Sequence, residues 1–334
     1  MDKVLNLFYE EPDPDRWFKY DRYPRKFLRR ILRGKPRPGG VMMIALELMK
    51  GLDRLGIPYR FNDYKYAKTH PEELIGVIGK PHLIFGKKFI NPILFGAGVF
   101  SHPIECIDFF LKYPNVKKML VPGEWMRKMC DSFYPNKIES WAVGIDTIKW
   151  SPHIKKNKLV ADFLIYDKIR WERLFYQTEL INPIKKELEK LGLSYNIIRY
   201  GEYNHQDFID ELSEAKAVIF LCEHETQGIA YQEILATNTS IFAWDRGGFW
   251  QDPYYYPHKV KYEPVTSVPY WDNRCGMKFK DLNDFNSALP QFIKNLNNNI
   301  FEPRKYILEN LTLEISAQKY LNIMNSINED IANS

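Results

Sequence analysis

Hydrophobic positions along this chain follow two alternating rhythms. Short continuous apolar runs read as buried strands. Between them, apolar residues return every three or four positions, as on one face of a helix. In the first half, Val4 to Tyr9, the run ending at Phe61, His82 to Phe85, Pro92 to Gly96 and Lys118 to Pro122 predict strands. Ala45, Leu48, Met49 and Leu52 mark an amphipathic helix after Gly39-Gly40, and another helix is predicted from about Glu124. Residues 153–158 read as a polar linker, after which the alternation resumes. Strands are predicted at 161–166, 195–200, 217–221 and 240–244, with helices at 182–191, 208–215 and 229–236. A last helix is predicted over 310–328, anchored by Leu311, Ile315 and Tyr320.

Strands alternating with helices predict an α/β protein with parallel sheets. A length of 334 residues suggests two domains. The expected division is 1–152, then 159–310, then a C-terminal helix at 311–334.

Charge changes this picture at one place. The net charge is +5, yet ten Lys or Arg residues lie between Arg16 and Arg37, with Asp21 as the one acid. They sit in a basic, aromatic insertion over 12–38. On a helical wheel, Phe27, Leu28, Ile31 and Leu32 share one side of 25–33, and Arg25, Lys26, Arg29, Arg30 and Arg33 share the other. Such a helix suits an anionic membrane surface or a phosphorylated acceptor. It equally suits packing on its own domain with solvated charges, and nucleic acid has the weakest claim. No apolar run nears the roughly 18 residues of a membrane span, and the N-terminus lacks a signal-peptide pattern, so a cytoplasmic protein is expected. Cys106, Cys130, Cys222 and Cys275 are scattered without metal-ligand spacing.

The most specific stretch is Glu225-Thr-Gln-Gly228-Ile-Ala-Tyr-Gln-Glu233. Glu225 falls in the loop at the C-terminal end of the strand 217–221, where doubly wound sheets bind ligands. Gly228 lets the backbone turn closely, and Glu233 lies about two turns along the helix. Two carboxylates on one strand–loop–helix unit could hold the hydroxyls of one ligand. On spacing alone, a helix-start Glu and a solvated helix Glu would look the same.

This stretch resembles the E-x7-E motif of retaining glycosyltransferases of family 4, the glycogen-synthase-like group. Other segments agree with it. Val143-Gly144-Ile-Asp146 to Ser151-Pro152 resembles the family's domain-junction segment, with Val143 where Asn is usual and Trp150 as the aromatic. Val121-Pro-Gly-Glu-Trp125 resembles its Ser-Glu-Trp helix start, and Asp245-Arg-Gly247-Gly248 to Asp252 resembles its later glycine segment with a following acid. Lys168 and Arg173 stand where the family carries a basic pair, with Arg170 a rival for either role. The segment before Gly39 is some 25 residues longer than the family's loop.

The resemblance implies the GT-B fold, two Rossmann-like domains facing across a cleft, with the C-terminal helix returning to the N-terminal domain. It implies transfer of a sugar, with retention and without a metal or other cofactor, from a nucleoside-diphosphate donor to a carbohydrate or lipid-linked hydroxyl. Glu225 would hold the donor sugar and Glu233 the ribose. Lys168 and Arg173 would neutralise the diphosphate, and Gly39, Gly40, Gly228, Gly247 and Gly248 would let backbone approach the donor. His102 would bond the reacting sugar, although a loop histidine satisfied by backbone fits the sequence as well. A nucleotide-sugar epimerase and a non-catalytic glycan- or partner-binding member remain as alternatives.

Overall fold

The computed structural model describes residues 4–11, 21, 24 and 40–333. Gly39, the basic helix expected at 25–33 and nearly all of the 12–38 insertion lie outside them. The chain divides into two compact units. The first holds the described residues of 1–122, 127–144 and 313–334, and the second holds 123–126 and 145–312.

Among the described residues of the first unit, six parallel strands form one sheet. They are β1 (Leu5–Phe8), β2 (Tyr59–Phe61), β3 (Ile75–Val77), β4 (Ile93–Phe95), β5 (Val116–Val121) and β6 (Ile138–Ser140), in the order β2-β1-β3-β4-β5-β6. The C-terminal helix Leu313–Ala332 belongs to this unit, as expected. It packs on the helix Gly40–Leu55. Gly51 makes that contact possible, because a Cβ there would stand 2.9 Å from the Ala317 Cβ and 3.0 Å from the Leu313 carbonyl carbon. Gly76 in β3 likewise leaves room for the buried Tyr320 ring, which meets Trp141 edge-on at 5.2 Å.

In the second unit five parallel strands run in the order β11-β10-β9-β7-β8. They are β7 (Ala161–Asp167), β8 (Tyr195–Arg199), β9 (Ala215–Leu221), β10 (Ser240–Trp244) and β11 (Gly276–Phe279). Phe163, Ile165, Ile219, Phe242, Phe285 and Phe292 lie in a core between this sheet and the helices Asn182–Lys190 and Leu282–Asn297. The chain enters at β7, steps outward to β8, then crosses back to β9. The crevice between the C-terminal ends of β7 and β9 is therefore the topological switch point, where such sheets bind ligands.

Several expectations change. His82–Gly86 is a short helix, not a strand, with Leu83 and Ile84 buried and Phe85 half exposed. A short apolar run does not by itself distinguish the two. Ile75–Val77 and Ile138–Ser140 are strands too short to stand out in the pattern. Ile315 is 38% exposed and Leu311 precedes the C-terminal helix, which is anchored by Leu313, Ala317, Tyr320, Met324 and Ile327.

The change of unit comes between Gly144 and Ile145, not at 152. Residues 153–158 are no linker. The Lys155 ammonium donates to the carbonyls of Leu212 at 2.7 Å and Ala215 at 2.5 Å, and burial pulls its pKa down to about 8.

Candidate functional site

The site is built on two strand ends. The register pairs Asp167 of β7 with Leu221 of β9, and the Lys168 N–H donates to the Leu221 carbonyl at 2.7 Å. The loop after β7 carries Lys168 and Arg170, and Arg173 opens the short helix Arg173–Tyr176 that ends it. The loop after β9 carries Glu223, His224 and Glu225, then Gly228 and the helix Ile229–Ala236 with Glu233. Gly228 has φ of +82°, and a side chain there would strike the Tyr231 ring. Only glycine suits that turn.

The Lys168 ammonium donates to Glu225 Oε1 in a very short contact, with side-chain exposures of 12% and 9%. Burial works against the Lys168 charge, but the Glu225 carboxylate outweighs it and the pKa is raised. The same ammonium lies 4.5 Å from the centre of the half-exposed Tyr200 ring. Glu225 is tied at its backbone as well. Its N–H donates to the Thr266 carbonyl at 3.0 Å, and its carbonyl accepts the Trp125 indole N–H at 2.7 Å.

Arg173 is engaged by a buried acid. Its Nη1 donates to Asp167 Oδ1 at 2.7 Å, its Nη2 lies 2.5 Å from Asp167 Oδ2, and Nη2 also donates to Gln177 at 2.8 Å. Arg170 turns toward the loop after β9, where its Nη2 donates to the His224 carbonyl at 3.2 Å and its Nε lies 3.8 Å from Glu223 Oε2. Glu233 is half buried on its helix. Gly247 and Gly248 follow β10 with φ of +64° and +71°. The Gly248 carbonyl accepts the Val265 N–H at 3.1 Å, and Asp245 accepts the Thr266 hydroxyl at 3.0 Å and the Ser267 N–H at 2.8 Å. The segment that meets Glu225 is thus held from the end of β10.

His224 is structural. Its ring is buried against Trp125, Trp171 and Trp250 with centroids 5.7, 5.2 and 6.4 Å away. Its Nε2 accepts the Trp250 indole N–H at 3.0 Å. Burial, with the nearby Arg170, Arg246 and Lys168 charges, drives its pKa down to about 2 and keeps the ring neutral. Trp244 and Trp250 are buried, and Asp252 accepts the Tyr254 N–H at 3.0 Å as a turn cap. The junction segment is also structural. Asp146 accepts the N–H groups of Ile148 and Lys149, and Arg304 binds the carbonyls of Thr147, Trp150 and Ala236.

The second unit brings Glu225, Lys168, Arg170 and Gly228 together, with Glu233, Gly247 and Gly248 on adjoining elements. Gly40 and His102 belong to the first unit. Gly40 opens the helix Gly40–Leu55. His102 is 3% exposed and caps the short helical turn Pro103–Glu105, its Nδ1 accepting the Ile104 N–H at 3.0 Å. The backbone-satisfied alternative describes that nitrogen. Glu223, Trp171 and Tyr200 carry no pattern of their own, and Trp125 enters only through the helix-start resemblance. The one signal for Glu223 is an acid directly after the apolar run Ala217 to Cys222.

No family model matches the chain, and no curated protein sequence matches it. Solved structures do. Sucrose-phosphate synthase from Thermosynechococcus elongatus matches at TM-score 0.52 and 11% identity, over 99% of this chain and 100% of that one. The apo lipopolysaccharide outer core galactosyltransferase WaaB matches at 0.53 and 9%, over 97% and 99%. TarM matches at 0.48 and 15%, over 84% of this chain, which spans 58% of TarM. At these identities the likeness to the first two gives the fold: this chain is an α/β protein with the GT-B fold.

Proposed function

We propose that the chain is a glycosyltransferase that takes a sugar from a nucleoside-diphosphate donor and retains its anomeric configuration. The observation that carries this is the Lys168–Glu225 pair at the switch point between β7 and β9. Both members hold charges that a donor would use. A diphosphate takes the Lys168 ammonium, and the Glu225 carboxylate, released, accepts hydrogen bonds from the sugar hydroxyls. Separating a buried ion pair is costly unless each charge finds a new partner, so diphosphate and sugar favour the exchange together.

Arg173 adds a second positive charge from the same loop, steadied by Asp167. Stabilising the departing diphosphate is the main electrostatic demand of this reaction. Lys168 and Arg173 meet it without a metal. Arg170 is committed to the β9 loop and serves the site through it. Glu233 takes the ribose, while Gly228, Gly247 and Gly248 keep side chains from the donor's path. The roles carried to His102, Gly39 and Gly40 rest on the resemblance alone. The acceptor is a carbohydrate or lipid-linked hydroxyl. The pattern of Arg25 to Arg33 supports work at the inner face of a membrane.

A thermal-shift screen of the full chain against UDP, GDP, ADP, dTDP and CMP and their sugar conjugates tests the reading. A ligand at about 100 times its dissociation constant adds about 2.7 kcal/mol of stability. The expected result is one nucleotide standing out, followed by acceptor-dependent sugar transfer that Glu225→Ala abolishes. Folded protein that responds to none of them, or transfer that survives Glu225→Ala, would sink it.

A further inference from the structure

We infer that Glu223 is a positioning residue that presents the diphosphate-binding loop. The inference rests on the donor reading above. Glu223 is 1% exposed, and its Oε1 accepts two consecutive backbone N–H groups, from Arg170 at 2.7 Å and Trp171 at 2.8 Å. Both belong to the loop after β7, between Lys168 and Arg173. Its Oε2 is buried without a hydrogen bond among the described residues and faces the Arg170 guanidinium, whose Nε is 3.8 Å away. A buried carboxylate whose one ionic neighbour among the described residues is 3.8 Å away is costly to keep. An apolar residue would suit the strand end better if packing were its only task.

The geometry gives that carboxylate a task. The loop after β7 has little regular structure between Asp167 and the short helix Arg173–Tyr176. Its two ends are tied, by the Lys168 N–H to Leu221 and by Arg173 to Asp167. Glu223 ties its middle. Arg170 returns the contact, donating to the His224 carbonyl, and the Trp171 ring lies over His224. Glu225 is two residues along the same chain. One carboxylate therefore sets the distance between the loop that carries the cations and the loop that carries the sugar-binding acid. Preorganised donors are effective only where they are held. The loop is then ready for a diphosphate before one arrives.

The test measures affinity for a nucleoside diphosphate and for the matching nucleoside by calorimetry, on wild type, Glu223→Ala, Glu223→Asp and Glu223→Gln. The diphosphate is the one selected in the thermal-shift screen. Glu223→Ala should weaken the diphosphate by about tenfold to a hundredfold, the effect of misplaced binding groups, and leave the nucleoside unchanged. Glu223→Gln keeps an acceptor for both N–H groups and should recover most of the loss. Glu223→Asp, one methylene short, should fall between Ala and Gln, and it reads the same quantity if the Ala variant does not fold. Equal loss for nucleoside and diphosphate would mean a general structural role and would overturn the inference, as would unchanged diphosphate affinity in Ala or Asp. If wild type itself binds no nucleoside diphosphate, the donor reading is what has failed.

Discussion

Lys168 and Glu225 stand 57 positions apart in the chain, yet the ammonium of one rests on the carboxylate of the other. Neither is widely exposed, so each screens the other's charge from an apolar surround. Removing one member strands its partner. Lys168→Met should destabilise the protein by about 3 kcal/mol. Adding Glu225→Gln should recover much of that loss, which chemical denaturation of the two single variants and the double variant would reveal. Additive losses would mean that the pair is not coupled in solution.

Gly228 allows a second prediction. It caps the Glu233 helix in the left-handed region, and a Cβ would collide with the Tyr231 ring and lie 3.3 Å from the Glu225 Cβ. Gly228→Ala should cost about 1–3 kcal/mol from backbone strain, with the ring clash added. Because Glu225 is crowded as well as Tyr231, nucleotide-sugar affinity should fall further than stability alone explains. Calorimetry at a temperature where the variant remains folded separates the two effects.

Acid should act on the first unit through His102. Its folded pKa is lowered from 6.5 to about 4, chiefly by burial, which the Glu105 carboxylate only partly offsets. The unfolded chain therefore binds the proton more readily than the folded one. This contribution to stability is complete above pH 6.5 and is lost as pH falls toward about 4. Asparagine can still accept the Ile104 N–H but cannot be protonated. In His102→Asn the melting temperature should fall less steeply over that window than in wild type, and identical slopes would exclude His102 as the source.

Gly51 reverses an ordinary expectation. It lies inside the helix Gly40–Leu55, where alanine is normally favoured by up to about 1 kcal/mol. Here the added Cβ meets the backbone of Leu313 and the side chain of Ala317. Gly51→Ala should instead destabilise by about 1–3 kcal/mol. A raised melting temperature would mean that the two helices separate at little cost.

How much of this was legible in the residues depends on the range of the force that decides each feature. The order of strands and helices followed from periodicity, because an apolar face has to match its element's own repeat. Glu225 and Glu233 fell on one strand–loop–helix unit for the same local reason, and Gly228 marked the turn between them. His82–Gly86 misled the pattern, and the strands Ile75–Val77 and Ile138–Ser140 escaped it, because they are shorter than one clear period. The residues at 153–158 misled it because the carbonyls that bury Lys155 come from Leu212 and Ala215.

The sequence by itself determined an α/β chain of two units and one strand–loop–helix unit that carries Glu225 and Glu233. Only the tertiary structure decided what Glu225 and its neighbour Glu223 meet. Sheet order sets β7 against β9 while β8, their neighbour in sequence, goes to the edge. That parallel register brings Lys168 to Glu225, and Arg170 and Trp171 to Glu223, across more than fifty residues. Such pairings carry no periodic signal, since they arise from strands that become neighbours only when the sheet forms.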